Sequence, residues 1–399
     1  MSEQVQQGVS QHAVKEKIWT RDFILICITN FLIFLGFQMT LPTISLYVKE
    51  LGGSDQLIGF VVGIFTFSAL LIRPFAGQAL ETKGRRLVYI GGLIVVILTV
   101  GTFGFLASIA LLFLMRIMQG FGWGCLTTAS GTVASDVVPA TRRGEGLGYF
   151  GLSGNLAMAI GPSIGLALVV LIPFNQFFLI CAALPALALL AATQIRFKKA
   201  EVKTAQSTGK GKKKLLDLYE ISSLKPSILA FFITFTFGGI ATFLPLYTAQ
   251  KGVEGIQWYF LVYAVSVMLT RTFAGQLYDR KGHKAVFLPG TLLIVIAMFL
   301  LSWMPGTAGL LIAAFLYGFG FGSVQPALQA WAIDQAPANR KGMANATFYS
   351  FFDLGIGIGA ILFGQIAHSF GYGSIYLTAG FSVVIAMILY VFMIRKKTA

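Results

Sequence analysis

RPFAGQALETKGRR at 73–86 and RTFAGQLYDRKGHK at 271–284 are two versions of one loop, 198 residues apart. Arg73, Gly77, Glu81 and Gly84 fall on Arg271, Gly275, Asp279 and Gly282. Downstream the register holds without a break. GFGWG at 120–124 aligns with GFGFG at 318–322, and Asp136, Pro139, Arg142, Gly144 and Gly161 align with Asp334, Pro337, Arg340, Gly342 and Gly359. Upstream it slips by five, Leu41–Pro42 matching Leu244–Pro245. The chain is a duplication, and the nature of the duplicated unit decides the fold.

The 399 residues are 56% hydrophobic and 11% charged, where a soluble protein carries about a quarter charged. Apolar runs near the roughly 20 residues that a bilayer-crossing helix needs recur at 22–46, 56–80, 86–106, 109–135, 146–171, 175–195, 227–249, 256–278, 284–304, 309–333, 342–367 and 373–394. The first is as long as the rest and no small-residue cleavage site follows it, so it reads as a retained helix. Six runs fall in each copy. An even number returns the chain to its starting side, so the copies run parallel about an axis along the membrane normal. The expected fold is an all-α membrane protein with twelve transmembrane helices in two pseudo-symmetric six-helix bundles, 1–195 and 227–399. Between them lies the one long polar stretch, a linker at 196–226, with a short amphipathic helix expected near Leu215–Ile221.

Charge placement orients the whole. With both termini inside, cytoplasmic segments hold 25 of the 30 Lys and Arg, nine of them between Arg196 and Lys225. Outer loops hold Lys49 and Lys251, and Arg73, Arg116 and Arg271 lie within spans. This is the positive-inside asymmetry, and it sets the +15 net charge against an anionic leaflet. No aromatic-interleaved basic patch accompanies the charge, so nucleic acid is not an expected partner. The partners expected are the bilayer and a small-molecule substrate, with the chain a monomer. Cys27, Cys125 and Cys181 all fall in apolar runs, without disulfide or zinc spacing, and read as small buried hydrophobes. No paired membrane aspartates, Ser–His pair or His-Glu-x-x-His argues for an intramembrane enzyme, and His12, His283 and His368 fall in tails or loops. No phosphate loop argues for an ATP-driven pump. No cofactor or metal is expected. A sensor on the same scaffold is the non-transport alternative.

The duplicated loop resembles the signature loop of the major facilitator superfamily, Gly-x-Leu-Ala-Asp-Arg-x-Gly-Arg-Lys. In the first copy Glu81 stands for the Asp, Thr82 for the first Arg, and Arg85 and Arg86 for the basic pair; the second copy fits better, with Asp279, Arg280, Gly282 and Lys284. Two helices turn tightly there, which suits glycine, while a carboxylate can meet basic groups and a helix N-terminus. The resemblance implies a cytoplasmic gate of Gly77, Glu81, Gly84, Arg85, Arg86 and Asp136 with Gly275, Asp279, Arg280, Gly282, Lys284 and Asp334. LMRIMQGFGWG resembles the superfamily's Arg-x-x-Gln-Gly motif at Arg116, Gln119 and Gly120. GYFGLSGNLAMAIGPSIG resembles the antiporter motif of its proton-coupled drug exporters at Gly148, Gly161, Pro162 and Gly165, with Ala157 and Leu166 replacing two glycines. These likenesses imply secondary active efflux of small amphipathic or drug-like compounds driven by a proton gradient. Export of a polar or anionic metabolite, such as a metal-chelating compound, is the alternative.

A charge inside a membrane span is a functional hypothesis by default. Asp353, near the middle of span 11, is the one carboxylate placed deep; its aligned residue in span 5 is Asn155. An unpaired carboxylate in low dielectric holds its proton more tightly than in water, which is what loading a proton near neutrality requires. The expectation is that Asp353 couples the proton while Arg116, the basic group well inside a first-half span, keeps its neighbourhood polar. Many drug–proton antiporters carry an acid in the first span, where this chain has Asn30 and Gln38, so that role does not carry over. On one helix face Arg116, Gln119, Trp123, Thr127 and Ser130 line up. With Asn30, Phe34, Gln38, Asn155, Gln325, Gln329, Asn345 and Tyr349 they are expected to face a central cavity, lined by spans 1, 4, 7 and 10.

Overall fold

The computed structural model describes residues 17–139, 142–197, 219–337 and 340–395. Among them are twelve long helices. In the first half these are α1 (Arg21–Glu50), α2 (Asp55–Thr82), α3 (Arg85–Phe103), α4 (Ile109–Val137), α5 (Arg143–Leu171) and α6 (Phe174–Ala192). The second half has α7 (Leu224–Lys251), α8 (Ile256–Lys281), α9 (His283–Trp303), α10 (Gly306–Asp334), α11 (Lys341–Phe370) and α12 (Tyr372–Arg395). Eleven are long and apolar enough throughout to cross a bilayer. The remaining one, α8, is apolar over Ile256–Thr270, the part of its run that lies among the described side chains. Most of the expected linker, 198–218, falls outside the described residues. So does most of the expected Leu215–Ile221 helix; its last residue opens a 3-10 turn, Ile221–Ser223.

Local chemistry fixes the helix ends. Thr20, Ser54 and Ser108 stand at the N-caps of α1, α2 and α4, and their hydroxyls accept from Phe23, Leu57 and Leu111 amides. Such caps satisfy amides that the helix cannot. Gly252 closes α7 at φ 66°, in the left-handed region. Helices of 26–30 residues run about 39–45 Å at 1.5 Å per residue. That exceeds the roughly 30 Å hydrocarbon core, so their ends and loops project as two opposite faces. One face carries the described loop residues 83–84, 138–139, 142, 282, 335–337 and 340; we call it the basic end. The other carries 51–54, 104–108, 252–255 and 304–305; we call it the far end.

The packing repeats the sequence duplication. In the first half α1 lies against α4, α5 and α6, while α3 and α2 flank α4. The second half has the same arrangement with every label raised by six. The halves meet through α2 on α11, its mirror image α5 on α8, and α1 on α7. Burial is uneven along the axis. Residues 233–248 of α7 are buried without interruption, and so are 38–48 of α1 apart from Leu46. A helix buried all round lies at a molecular centre. The far-end half of the molecule is sealed around α1 and α7, and their basic-end halves are only partly covered.

Glycine permits the closest approaches. A Cβ on Gly161 would stand 2.6 Å from Gln38 Cβ, and one on Gly165 would stand 2.5 Å from the Met39 carbonyl oxygen. These glycines of the antiporter-type motif let α5 and α1 touch backbone to backbone, as small residues do between membrane helices. Gly148 of the same motif faces open space.

Candidate functional site

The second-half side of the site is a polar chain on α10 and α11. Gln325 donates to Gln329 at 3.3 Å, Gln329 donates to Asn345 at 2.9 Å, and the Tyr349 hydroxyl lies 3.5 Å from Gln329 Oε1. Gln329, Asn345 and Tyr349 keep partial exposure. Facing first-half groups are tied to their own bundle. Asn30 is buried, donates to Ser153 at 2.9 Å and to the Phe150 carbonyl at 3.3 Å, and accepts from Ser130. Gln38 is buried against α5, and Asn155 is half-buried.

Asp353 pairs with Arg73, not with Arg116. The Arg73 Nη1 to Asp353 Oδ2 distance is 2.7 Å, and each side chain is about a quarter exposed. The pair joins α2 to α11, and so one bundle to the other. Arg116 instead is 1% exposed; its Nε donates to the Val61 carbonyl at 3.1 Å, and Nη1 donates to Gln119 at 2.6 Å. Its guanidinium lies 4.4 Å from the Phe65 ring centre. Arg116 therefore turns toward α2 with Gln119 beside it, while Trp123 packs on Phe34 and Phe37 of α1; all three are buried and do not line an open cavity. The physical reason is that a guanidinium needs several acceptors, and the Val61 carbonyl on the neighbouring helix supplies one. Nη2 of Arg116 and Nε2 of Gln119 have no partner.

Trp123 belongs to an aromatic cluster that single-residue reading missed. Its ring lies 5.1 Å from Phe34, 4.1 Å from Phe37 and 6.3 Å from Phe65. The second half repeats it: Phe237 lies 5.8 Å from Phe321 and 6.2 Å from Tyr263, with Tyr263 to Phe321 at 6.3 Å. Phe65 and Trp123 map onto Tyr263 and Phe321 at the 198-residue offset, and Phe34 maps onto Phe237 at the slipped offset. Each half thus shares one aromatic triad from its first, second and fourth helices, to which the first half adds Phe37, aligned with Ile240 in the second. Aromatic faces of this kind take flat apolar or cationic groups.

At the basic end the two halves are built differently. Arg85 Nε meets Asp136 Oδ2 at 2.8 Å, and Arg85 also donates to the Leu80 carbonyl. The corresponding Asp334 accepts instead from Tyr278, at 2.8 Å. The residue aligned with Arg85 is His283, which stacks on Trp331 at 4.2 Å and whose Nδ1 meets the Tyr390 hydroxyl at 2.8 Å. The expected second-half cluster of Arg280 and Lys284 with Asp334 is thus corrected: both cations are exposed and Tyr278 holds the carboxylate. Arg86 is exposed too. The side chains of Glu81 and Asp279 lie outside the described residues. A further contact was not foreseen. Glu220 forms an ion pair with Arg340, Oε2 to Nε at 2.6 Å, its Oε1 accepts from the Ser222 hydroxyl and amide, and the Glu220 amide donates to Thr347. The segment entering α7 is thereby clasped to the hairpin between α10 and α11.

A family model described as Major Facilitator Superfamily matches residues 26–257 and 252–399. The staphylopine export protein of Staphylococcus aureus is 24% identical over 87% of this chain and 89% of its own length. The quinolone resistance protein NorA of the same organism is 24% identical over 88% and 92%. Among solved structures, a bacterial homolog to the human lysosomal transporter Spinster, in an inward-facing and occupied conformation, superposes with a TM-score of 0.73. That likeness, at 14% identity over 94% of this chain and 96% of the other, shows the fold.

Proposed function

The chain belongs to the major facilitator superfamily and is a multi-pass membrane transporter, and from that premise we propose that it exports small amphipathic or drug-like compounds in exchange for protons. The observation that carries this reading is the Arg73–Asp353 pair between α2 and α11. A proton can drive a conformational cycle only if it binds the two states unequally. Protonating Asp353 removes the charge that ties the bundles together here, so a proton favours their separation along this interface. The partly exposed Gln329, Asn345 and Tyr349 suit a partly polar cargo, and the largely buried aromatic triads would receive a flat ring only in a conformation that uncovers them. Efflux as the direction is supported by the staphylopine export protein among the relatives, and the quinolone resistance of the other accords with it. The distribution of Lys and Arg supports a cell-membrane location with both termini cytoplasmic, in a monomer of two bundles joined by the 196–226 linker.

One observation favours a second substrate class, a polar or anionic metabolite such as a metal chelator. Arg116 places a buried positive charge with a spare N–H beside the first triad, and one relative exports staphylopine.

Uptake into inside-out vesicles, with and without a proton gradient, tests both readings across dyes, drugs and metallophores. Asp353→Asn should abolish gradient-driven uptake while leaving substrate binding largely intact, and Asp353→Glu should keep part of it. Full proton-driven uptake by the Asn variant would move coupling elsewhere. Arg116→Gln should spare cationic dyes and impair only anionic cargo if the second class is the true one.

A further inference from the structure

A groove of about 820 Å³ opens on the outside of the first bundle at its basic end, between the start of α3 and the segment that follows α6. Its upper rim is cationic, from Lys83, Arg85, Arg86 and Arg196. Only Arg85 has a carboxylate partner, Asp136; Lys83, Arg86 and Arg196 are exposed and make no ion pair among the described residues. Gly84, at φ 93°, precedes α3 and provides no side-chain cap. Gly84 and the first turn of α3 line the groove, and a helix N-terminus without a side-chain cap suits phosphate oxygens.

Below the rim the wall is apolar. Leu87, Ile90 and Ile94 line it, and Leu87 and Ile94 are 61% and 43% exposed. Between them Gly91 leaves a notch, since a Cβ there would meet nothing within 4 Å. Phe197 forms part of the opposite side and packs near Tyr89 at 5.9 Å. A soluble anion would use the rim and leave the notch bare. A molecule with a phosphate at one end and a hydrocarbon chain at the other uses both.

We propose that this groove is a binding site for one anionic phospholipid, its headgroup on Lys83, Arg86, Arg196 and the α3 amides, and an acyl chain laid in the Gly91 notch. Net negative charge is required, because a zwitterionic headgroup would bring its own cation against three unpaired ones. The duplicated corner of the second bundle is built for something else. There Lys281 and Lys284 keep two of the cations, but Arg196 becomes Ile394, Leu87 becomes Ala285 and the notch residue Gly91 becomes Pro289, while His283, aligned with Arg85, stacks on Trp331 and meets Tyr390. The site is therefore a property of the first half, not of the repeat. Because Arg85 lines the groove while holding Asp136, a bound headgroup competes for the cation that ties α3 to α4.

The test uses the full chain reconstituted in phosphatidylcholine vesicles, with spin-labelled phosphatidylglycerol or spin-labelled phosphatidylcholine as probe. The motionally restricted fraction gives relative association. Wild type should prefer phosphatidylglycerol, and Lys83→Gln/Arg86→Gln/Arg196→Gln should lower that preference on the order of tenfold. Gly91→Leu should lower it with every charge kept, which a misfolding artefact of charge removal could not mimic. Lys281→Gln/Lys284→Gln, at the duplicated corner, should leave it unchanged. Equal loss in that control would mean diffuse attraction and overturn the site. So would an unchanged preference in the triple variant, or full displacement of the lipid by inorganic phosphate, which would reduce the groove to an anion site.

Discussion

Two arginines inside the first bundle meet different fates, and the difference is one of partners. Arg116 is fully enclosed and held within its own half by Val61 and Gln119, with Nη2 left unpartnered. Arg73 reaches the other half, where Asp353 meets it at 2.7 Å. Removing one member of a buried pair leaves an uncompensated charge, at about 3–5 kcal/mol when fully buried. Partial exposure reduces this, so Arg73→Leu should destabilise the protein by about 1–3 kcal/mol. Arg73→Leu combined with Asp353→Leu should recover most of that loss, and neither variant should couple to protons. Thermal unfolding in detergent measures the first claim, and a double loss equal to the sum of the single losses would mean that the two residues are not coupled. Sequence alone placed Asp353 deep but matched it to the wrong arginine. The duplication shows which residues correspond, not which face each other across the bundles. Under it Arg73 and Asp353 become Arg271 and Asn155, so at these aligned positions only the α2–α11 interface has an acid to pair.

At the scale of elements, the antiporter-type motif separates into positions with different physical demands. Gly165 faces the Met39 backbone and Gly148 faces nothing. Gly165→Val should therefore cost about 1–3 kcal/mol, as overpacking does, while Gly148→Ala should be close to neutral; expression and thermal stability in detergent distinguish them. The motif was legible in the sequence, but which of its glycines bears a helix contact was not, because that depends on how α1 passes over α5. The clasp before α7 was not legible either. It pairs Glu220 with Arg340, 120 positions on, and no periodicity connects them. There Ser222, first through its hydroxyl and then through its amide, holds the Glu220 carboxyl below the usual carboxylate range, with Arg340 adding to this and burial opposing it. A depressed value means that the contribution is complete above the unfolded carboxylate range near 4.3 and is lost as pH falls through the lower, folded value. Hydrogen exchange at residues 219–223 should stay slow from neutral pH down to about pH 5. In Glu220→Gln it should be fast throughout. A protection loss at pH 6 in wild type would contradict this.

For the whole molecule, the repeat made the twelve helices and their parallel halves readable, since hydrophobic runs and a constant offset survive without any tertiary contact. Which end is sealed was beyond it, because closure depends on contacts between halves. At the far end Asp55 of α2 accepts from Tyr372 of α12 at 2.7 Å and pairs with Lys49 at 2.9 Å. The next residue of α2, Gln56, donates to Gln365 of α11 at 2.8 Å. The Asp55–Tyr372 and Gln56–Gln365 contacts cross from one bundle to the other, and the buried stretch of α7 begins behind them. A transporter that exposes one end at a time has two states, and a contact made in only one of them weights the balance by its own free energy. A hydrogen bond to a charged group contributes about 1.5–3 kcal/mol. Tyr372→Phe should thus raise the far-end-open population on the order of tenfold or more. A cysteine at Ser45, buried in α1, reports that opening by maleimide labelling, and one at the half-buried Gln329 reports the basic end. If the tyrosine is a lock, labelling at 45 must rise while labelling at 329 falls, since one population grows only at the expense of the other. A rise at 45 with no change at 329 would mean local loosening of the far-end loops, and no change at either position would remove Tyr372 from the gate.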